Sequence, residues 1–470
     1  EEEENPMSSK PFVLGGVALA VGLTSLVTSY KACDKTKVKL RGVVCLINRL
    51  KSKASTVDDK VLSIMKPVDE LFEEVLVEER KAFGDSATDD EAKRSLYKMQ
   101  FYGTFENGNR FSAVGQTLMV KDVEKNLRRR IAFAKRCQAD LPTESSRQAV
   151  GDNIIIIAGL PRTGSTMLHR LLSADPTTRT PLWWEQMLSD DEQLPCAPED
   201  LTTDSRADAV VKSFEAISLL SPNALEEFNK FHKLGAYEVE ECAPFMRRYF
   251  YDMDGLLFSP SSVKKRTDWL RDDKVDKSFI MKHLKAWLSL QGTKFPKDKQ
   301  MKWVLKAPLF TPFLKATSDA FPDATFVFTN RNPMNVIPST AGMVEVYASL
   351  KADWSNEDET WKWIGDYCLA GLAGTAYIQS EWIKKNEKDK KHKVLCLKYP
   401  ETLEDPLGTV KRIYEAAGRK FEGEAEEAMK KHLDNNKQHK HGKAEYSVEK
   451  FGLSEARVKS TMSRYEEEFL

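Results

Sequence analysis

The stretch from Asn153 to Leu172, NIIIIAGLPRTGSTMLHRLL, restricts what this chain can fold into more than any other. The run from Ile154 to Leu160 is short, β-branched and unbroken, the pattern of a strand buried on both faces of a parallel sheet. A glycine-containing turn and an amphipathic segment follow it directly. Strand, turn and helix in that order bring free backbone N–H groups and the positive end of a helix dipole to one place, which makes an anion site. Gly159 and Gly164 keep the spacing of GxxxxGK[ST], but Ser165 stands where the lysine belongs. Without that lysine nothing reaches the β- and γ-phosphates of a triphosphate. Arg162, Gly164 and the hydroxyls of Thr163, Ser165 and Thr166 remain for a smaller anion at the 5′ end of a nucleotide. An ordinary strand–turn–helix is the alternative, and the coincidence of several anion-binding features weighs against it.

The same rhythm continues downstream. WVLKAP (Trp303 to Pro308), ATFVFTNRN (Ala324 to Asn332) and KVLCLKY (Lys393 to Tyr399) read as further strands, each followed by a helical stretch. That alternation predicts an α/β fold, a parallel sheet of the phosphate-loop type flanked by helices, with ligands at the carboxyl ends of its strands. One of those ends carries a second anion-binding pattern, TNRNPMNVIPS, with Arg331 and Ser339 eight residues apart. An arginine at a strand end and a serine on the next helix can converge on one phosphate, which suits the guanidinium fork. Taken alone, Arg331 would read as a surface ion pair; beside the first loop it points to a nucleotide with anions at both its 5′ and 3′ ends.

Ahead of the sheet, residues 51–150 predict a helical extension, since Val68, Leu71, Phe72, Val75 and Leu76 recur at helical spacing. Its expected role is a packing layer around a catalytic body of residues 151–470. Within residues 1–50, the uncharged run Phe12 to Tyr30 (residues 12–30) is just long enough to cross a bilayer. We read it as a single-pass membrane anchor, with a cleaved signal or a buried helix as alternatives. The cations that follow it favour a cytosolic body by the positive-inside rule. KKNEKDKKHK (Lys384 to Lys393) reads as a solvated turn. Lys plus Arg and Asp plus Glu each total 71, so no global field recruits nucleic acid. The seven cysteines never form a CxxC pair, which argues against a zinc site and a disulfide framework.

These motifs together resemble the P-loop sulfotransferase superfamily, most closely the broad group that shares LPRTGSTMLHRLL, WVLKAP, NRNP and FGL-like elements. The similarity runs from about Phe101 to the C-terminus. Two positions depart from the group's habit, Asn332 where Asp is common and Ala307 where Ser is common. The resemblance implies that 3′-phosphoadenosine 5′-phosphosulfate (PAPS) is the sulfonate donor. It implies that Arg162, Thr163, Gly164, Ser165 and Thr166 hold the 5′-phosphosulfate, and Arg331 with Ser339 the 3′-phosphate. PAPS carries no triphosphate needing a charge clamp, so no metal is expected. The acceptor would be a small molecule, lipid or glycan bearing a hydroxyl or amine. An anchored member of this superfamily would sit in the Golgi, the ER or another endomembrane, with the side of its catalytic body left open.

Sulfonyl transfer needs a base for the acceptor proton and positive charge for the oxygens that gain charge. Glu185, in PLWWEQM, is similar in position to the glutamate base of tyrosylprotein and heparan-type sulfotransferases. Lys306 ends an apolar strand, where a cation is costly unless it meets an anion, and it resembles the lysine that contacts the transferring group. His232, in FHKLGAYEVEEC ahead of Glu240, Glu241 and Cys242, is the rival base, a role histidine fills in cytosolic sulfotransferases. Gly442 and Lys443, in HKHGKAEYSVEKFGL, either close over the 3′-phosphate or form a plain basic loop. A kinase-like nucleotide-binding protein and a non-catalytic protein of the same fold are the competing functions.

Overall fold

Five parallel strands form the centre: β1 (Ile155–Ala158), β2 (Thr178–Arg179), β3 (Lys302–Lys306), β4 (Thr325–Asn330) and β5 (Lys393–Lys398), in the order β2-β3-β1-β4-β5. The structure is a computed structural model, and it describes residues 59–106, 108–148, 150–187, 204–221, 223–251, 259–272, 274–293, 302–349, 351–436 and 447–470. The unbroken apolar run at β1 has a direct cause. Ile155 and Ile157 face one core with Leu168, Leu172 and Ile413, while Ile156 and Ala158 face another with Leu305, Phe326 and Phe328. Alternate side chains thus meet helices on both sides, leaving no solvent face for a polar residue. β1 is flanked by β3 and β4, so the strand order reverses beside it. Ligands of open α/β sheets bind outside the carboxyl ends of the strands at such a reversal.

Eight helices matter for the site. Three precede the sheet: α1 (Asp59–Phe83), α2 (Ala87–Phe101) and α3 (Ala113–Asp140). The others are α4 (Ser165–Leu172), α5 (Ser278–Gly292), α6 (Pro333–Ala348), α7 (Glu357–Asp389) and α8 (Glu455–Phe469). Phe72 and Leu76 of α1, Phe133 of α3 and Trp287 of α5 share one continuous core with Leu305 and Phe326 of the sheet. A sealed set of charges reinforces that junction. Arg130 grips Glu79 through two hydrogen bonds of 2.7 and 2.8 Å, and Lys93 lies 2.9 Å from the same carboxylate. Lys93 also pairs with Asp85, which hydrogen-bonds His283 Nε2 at 2.9 Å, and His283 Nδ1 meets the Tyr249 hydroxyl at 2.9 Å. Glu79, Asp85 and His283 lie close enough to share a metal ion, but these cations and the tyrosine already engage them.

The charged run at Lys384 corrects a sequence expectation. Instead of a solvated turn, α7 continues to Asp389, and Lys390 ends it in the left-handed region at φ +48°. Lysine and glutamate are good helix formers, and Lys384 bonds Glu468 of α8 at 2.6 Å, so the run is held as helix. Among the described residues no helix is long and apolar enough to cross a membrane. Residues 12–30 lie outside the described residues.

Candidate active site

The loop after β1 is built on backbone conformations that few residues adopt. Gly159 and Gly164 take φ values of +104° and +89°, and between them Arg162 takes +63°. A side chain at Gly164 would be strained by φ and would meet the Tyr399 ring at 2.8 Å. The positive φ at Arg162 is unusual for a non-glycine residue and is held by its side chain: Nε donates to Ser339 Oγ at 3.1 Å and Nη1 to the Phe231 carbonyl at 3.0 Å. Thr163 turns inward. Its hydroxyl donates to the Leu160 carbonyl at 2.8 Å and lies 2.6 Å from the Thr329 hydroxyl, tying the loop to β4. Ser165 and Thr166 then open α4 with their N–H groups at its positive end.

The other strand ends converge on this loop. Arg331, just past β4, donates from Nη1 to the Arg162 carbonyl at 3.0 Å and lies over the Tyr399 ring, 4.2 Å from its centroid. Lys306, the last residue of β3, is buried; its Nζ donates to Thr166 Oγ1 at 3.3 Å and is paired with Glu241 Oε2. The chain returns to the site when Cys242 N–H donates to the Lys306 carbonyl at 2.8 Å, which fixes Glu241 beside the ammonium. Burial works to raise the Glu241 carboxyl, but Lys306 and then His232 outweigh it and hold it below the usual range. His232 Nε2 lies 2.6 Å from Glu240 Oε2, and the other oxygen of Glu240 accepts the Glu241 N–H at 3.0 Å. His169 lies on the buried face of α4, and burial and then the Lys306 charge push its imidazole down to about 3.

A cavity of about 310 Å³ opens over these groups. Arg162, Gly164, Ser165, Thr166, Lys306 and Arg331 line it on one side, with His232, Glu240 and Glu241 beside them. Trp183, Met187, Phe231, Leu309, Met343 and Tyr347 give it apolar walls. The helical extension braces the rim. Asp122 of α3 accepts from Arg247 at 2.8 Å, and Arg129 of α3 donates to the Met187 carbonyl.

Not every residue expected from the sequence reaches this cavity. Glu185 does not: it is fully buried, paired with Arg179, and accepts the Leu182 N–H at 2.8 Å. The helix Trp183–Met187 presents its first and last residues to the cavity, so its middle residue turns the other way. The Glu185 carboxylate thus lines no part of the cavity. Thr163 and Ser339 stand behind the lining, where they position the loop and Arg162. Gly442 and Lys443 lie outside the described residues. Tyr399, which the motifs alone do not single out, ends the predicted strand Lys393 to Tyr399 and obeys the same strand-end rule as Lys306 and Arg331. Glu240 and Glu241 stand in the sequence close after His232, and nothing in their spacing tells which of them reaches Lys306.

Comparison with known proteins agrees with this geometry. A profile described as the sulfotransferase family matches residues 154–423. Among curated proteins no sequence match was found. The crystal structure of the sulfotransferase STF9 from Mycobacterium avium superposes with a TM-score of 0.68 at 21% identity, over 85% of this chain and 96% of that one. That of STF1 from Mycobacterium tuberculosis H37Rv gives 0.65 at 22% identity, over 84% and 98%. These two likenesses speak for the fold, and the profile match, which takes in the loop, Lys306, Arg331 and Tyr399, speaks for descent. The chain belongs to the sulfotransferase family.

Proposed function

We propose that the protein is an enzyme that transfers a sulfonate group from PAPS to a hydroxyl or amine of a small-molecule, lipid or glycan acceptor. Lys306 carries this reading: a buried ammonium at the end of a central strand, bonded to the anion loop through Thr166. Its carboxylate partner Glu241 keeps the ammonium charged in that place, and the cavity in front of it leaves room for a second anion. The residues present fit a nucleotide with two anionic ends. The loop N–H groups with Ser165 and Thr166 suit the 5′ end, and Arg331, held over Tyr399, suits the 3′-phosphate, with Arg162 and Ser339 bracing it. When bound, PAPS supplies an electrophilic sulfonate on a phosphate leaving group. Lys306 and the loop N–H groups stabilise the charge that develops on oxygen.

His232 is the base this geometry favours. It lines the cavity, and the Glu240 carboxylate at Nε2 orients its ring and steadies the imidazolium formed when it takes the acceptor proton. The apolar walls suit an acceptor with a ring or alkyl body beside its reacting group. The uncharged run 12–30 supports, within the same reading, attachment to an endomembrane. Retention of the full chain in membranes after an alkaline carbonate wash is the expected result, and release into the wash discards that part. The activity itself is tested by transfer of labelled sulfonate to a panel of alcohols, phenols, amines and glycans, with chelator present. Transfer to at least one class without added metal is expected. No transfer to any class, with donor binding intact, would favour a non-catalytic protein of this fold.

A further inference from the structure

Lys306 is shared between two sides of the cavity. One of its bonds goes to Thr166 on the anion loop and another to Glu241, whose side chain is 21% exposed. Glu240, next in sequence, has no such latitude, since one oxygen meets His232 and the other the Glu241 N–H. Glu241 thus has a single strong partner, while His232 and Arg162 act on it only as neighbouring charges. An ammonium has three protons to give, and the 4% exposure of Lys306 leaves little water to take them. An anion seated at Thr166 therefore shares the ammonium with Glu241, and the carboxylate's hold on it weakens.

Resting on the reading that the loop takes the 5′ end of the nucleotide, we propose that Glu241 is a positioning residue, a competing counter-ion that yields Lys306 to the nucleotide and reclaims it to speed product release. Without a second anion to return to, Lys306 would keep the bisphosphate product. With Glu241 beside it, its hold on the product is weakened. Losing Lys306 also strips Glu241 of its main counter-charge, so its carboxyl rises on binding and takes up a proton as pH falls. The groups that face Glu241 are Lys306 from β3, Arg162 from the loop, and His232 and Glu240 from its own segment.

The test is calorimetric titration of the full chain with 3′,5′-bisphosphoadenosine. Glu241→Gln should bind about tenfold more tightly than wild type, the scale of one charge-assisted hydrogen bond regained. In a Lys306→Ala background the same change should have no effect, because the competition is gone. Turnover of Glu241→Gln should fall together with donor KM and show a burst of first-turnover product, and Glu241→Asp should restore the wild-type pattern. Wild-type titrations in buffers of different ionisation enthalpy should reveal proton uptake below neutral pH that Glu241→Gln lacks. If Glu241→Gln does not fold, absence of that uptake in wild type overturns the proposal. Equal or weaker binding by a folded Glu241→Gln also overturns it, while leaving the sulfotransferase reading standing. Failure of both proteins to bind the bisphosphate would instead remove the reading on which it rests.

Discussion

Glu79, Asp85, Lys93, Arg130 and His283 share a sealed interior between the N-terminal helices and α5, whereas Glu240, Glu241, Lys306 and His232 share the wall of an open cavity. Both sets hold glutamate, lysine and histidine, and in both places carboxylates sit against cations. The difference lies in what can replace a partner. In the sealed set every carboxylate has two or more protein donors and no route to anything else. In the cavity Lys306 has one carboxylate and one loop hydroxyl, and the space in front of them admits a ligand. Buried charge alone is therefore a poor sign of function. Buried charge whose partner can be exchanged is a better one.

The comparison breaks most visibly where one sealed partner is removed. Glu79→Ala should destabilise the protein by about 3–5 kcal/mol, because Arg130 and Lys93 are then left buried without their anion. Urea unfolding measures it, and a loss under about 1 kcal/mol would mean the network is not the rigid counterpart we take it to be. Lys306→Ala should do the reverse, lowering kcat by about 10²–10³-fold with a small change in unfolding midpoint. His232→Ala should cut turnover by about 10²-fold or more and remove the acidic limb of the pH–rate profile. Glu185→Gln should leave turnover per folded molecule nearly unchanged and cost stability, since Arg179 loses its charge partner. A pH limb that survives in His232→Ala and vanishes in Glu185→Gln would overturn the base assignment.

The smallest effect is the response of stability to acid. Burial alone would raise the Glu79 carboxyl, but Arg130 and then Lys93 bring it down to about 2. Burial is likewise outweighed at Asp85, where His283 and then Lys93 hold the carboxyl far below the usual range. A carboxylate depressed on folding contributes stability above its unfolded value and loses it as pH falls through the folded one. Stability should thus hold near neutrality and decline from about pH 5 downward. Glu79→Gln should flatten part of that decline, and an unchanged slope would remove Glu79 from the account.

Much of this was legible in the sequence, for physical reasons that differ by region. β1 announces itself because burial on both faces leaves an unbroken apolar run, β3 and β4 by their apolar centres, and β5 by Val394, Leu395 and Leu397 despite an exposed edge. The loop was legible because its glycines and hydroxyls are local, and Arg331 because it ends a strand. The burial of Glu185 is not legible because a five-residue helix turns its middle residue away from its ends, and composition does not record facing. Between Glu240 and Glu241 the sequence offers no distinction either. Which carboxylate meets Lys306 is decided by the contact of Cys242 with β3, a tertiary event. The sealed network was hidden for the same reason, since Arg130 and His283 come to Glu79, Asp85 and Lys93 only through tertiary packing.

The central claim is that the strand ends and loop form a two-anion nucleotide site without the lysine that a triphosphate requires. The most direct measurement is the thermal unfolding midpoint with 3′,5′-bisphosphoadenosine or with ATP and magnesium, in wild type and in Arg331→Glu. The account predicts a clear rise with the bisphosphate, little or none with ATP, and loss of the rise in an otherwise folded Arg331→Glu. A larger rise with ATP and magnesium, or a bisphosphate response that survives in Arg331→Glu, would contradict it.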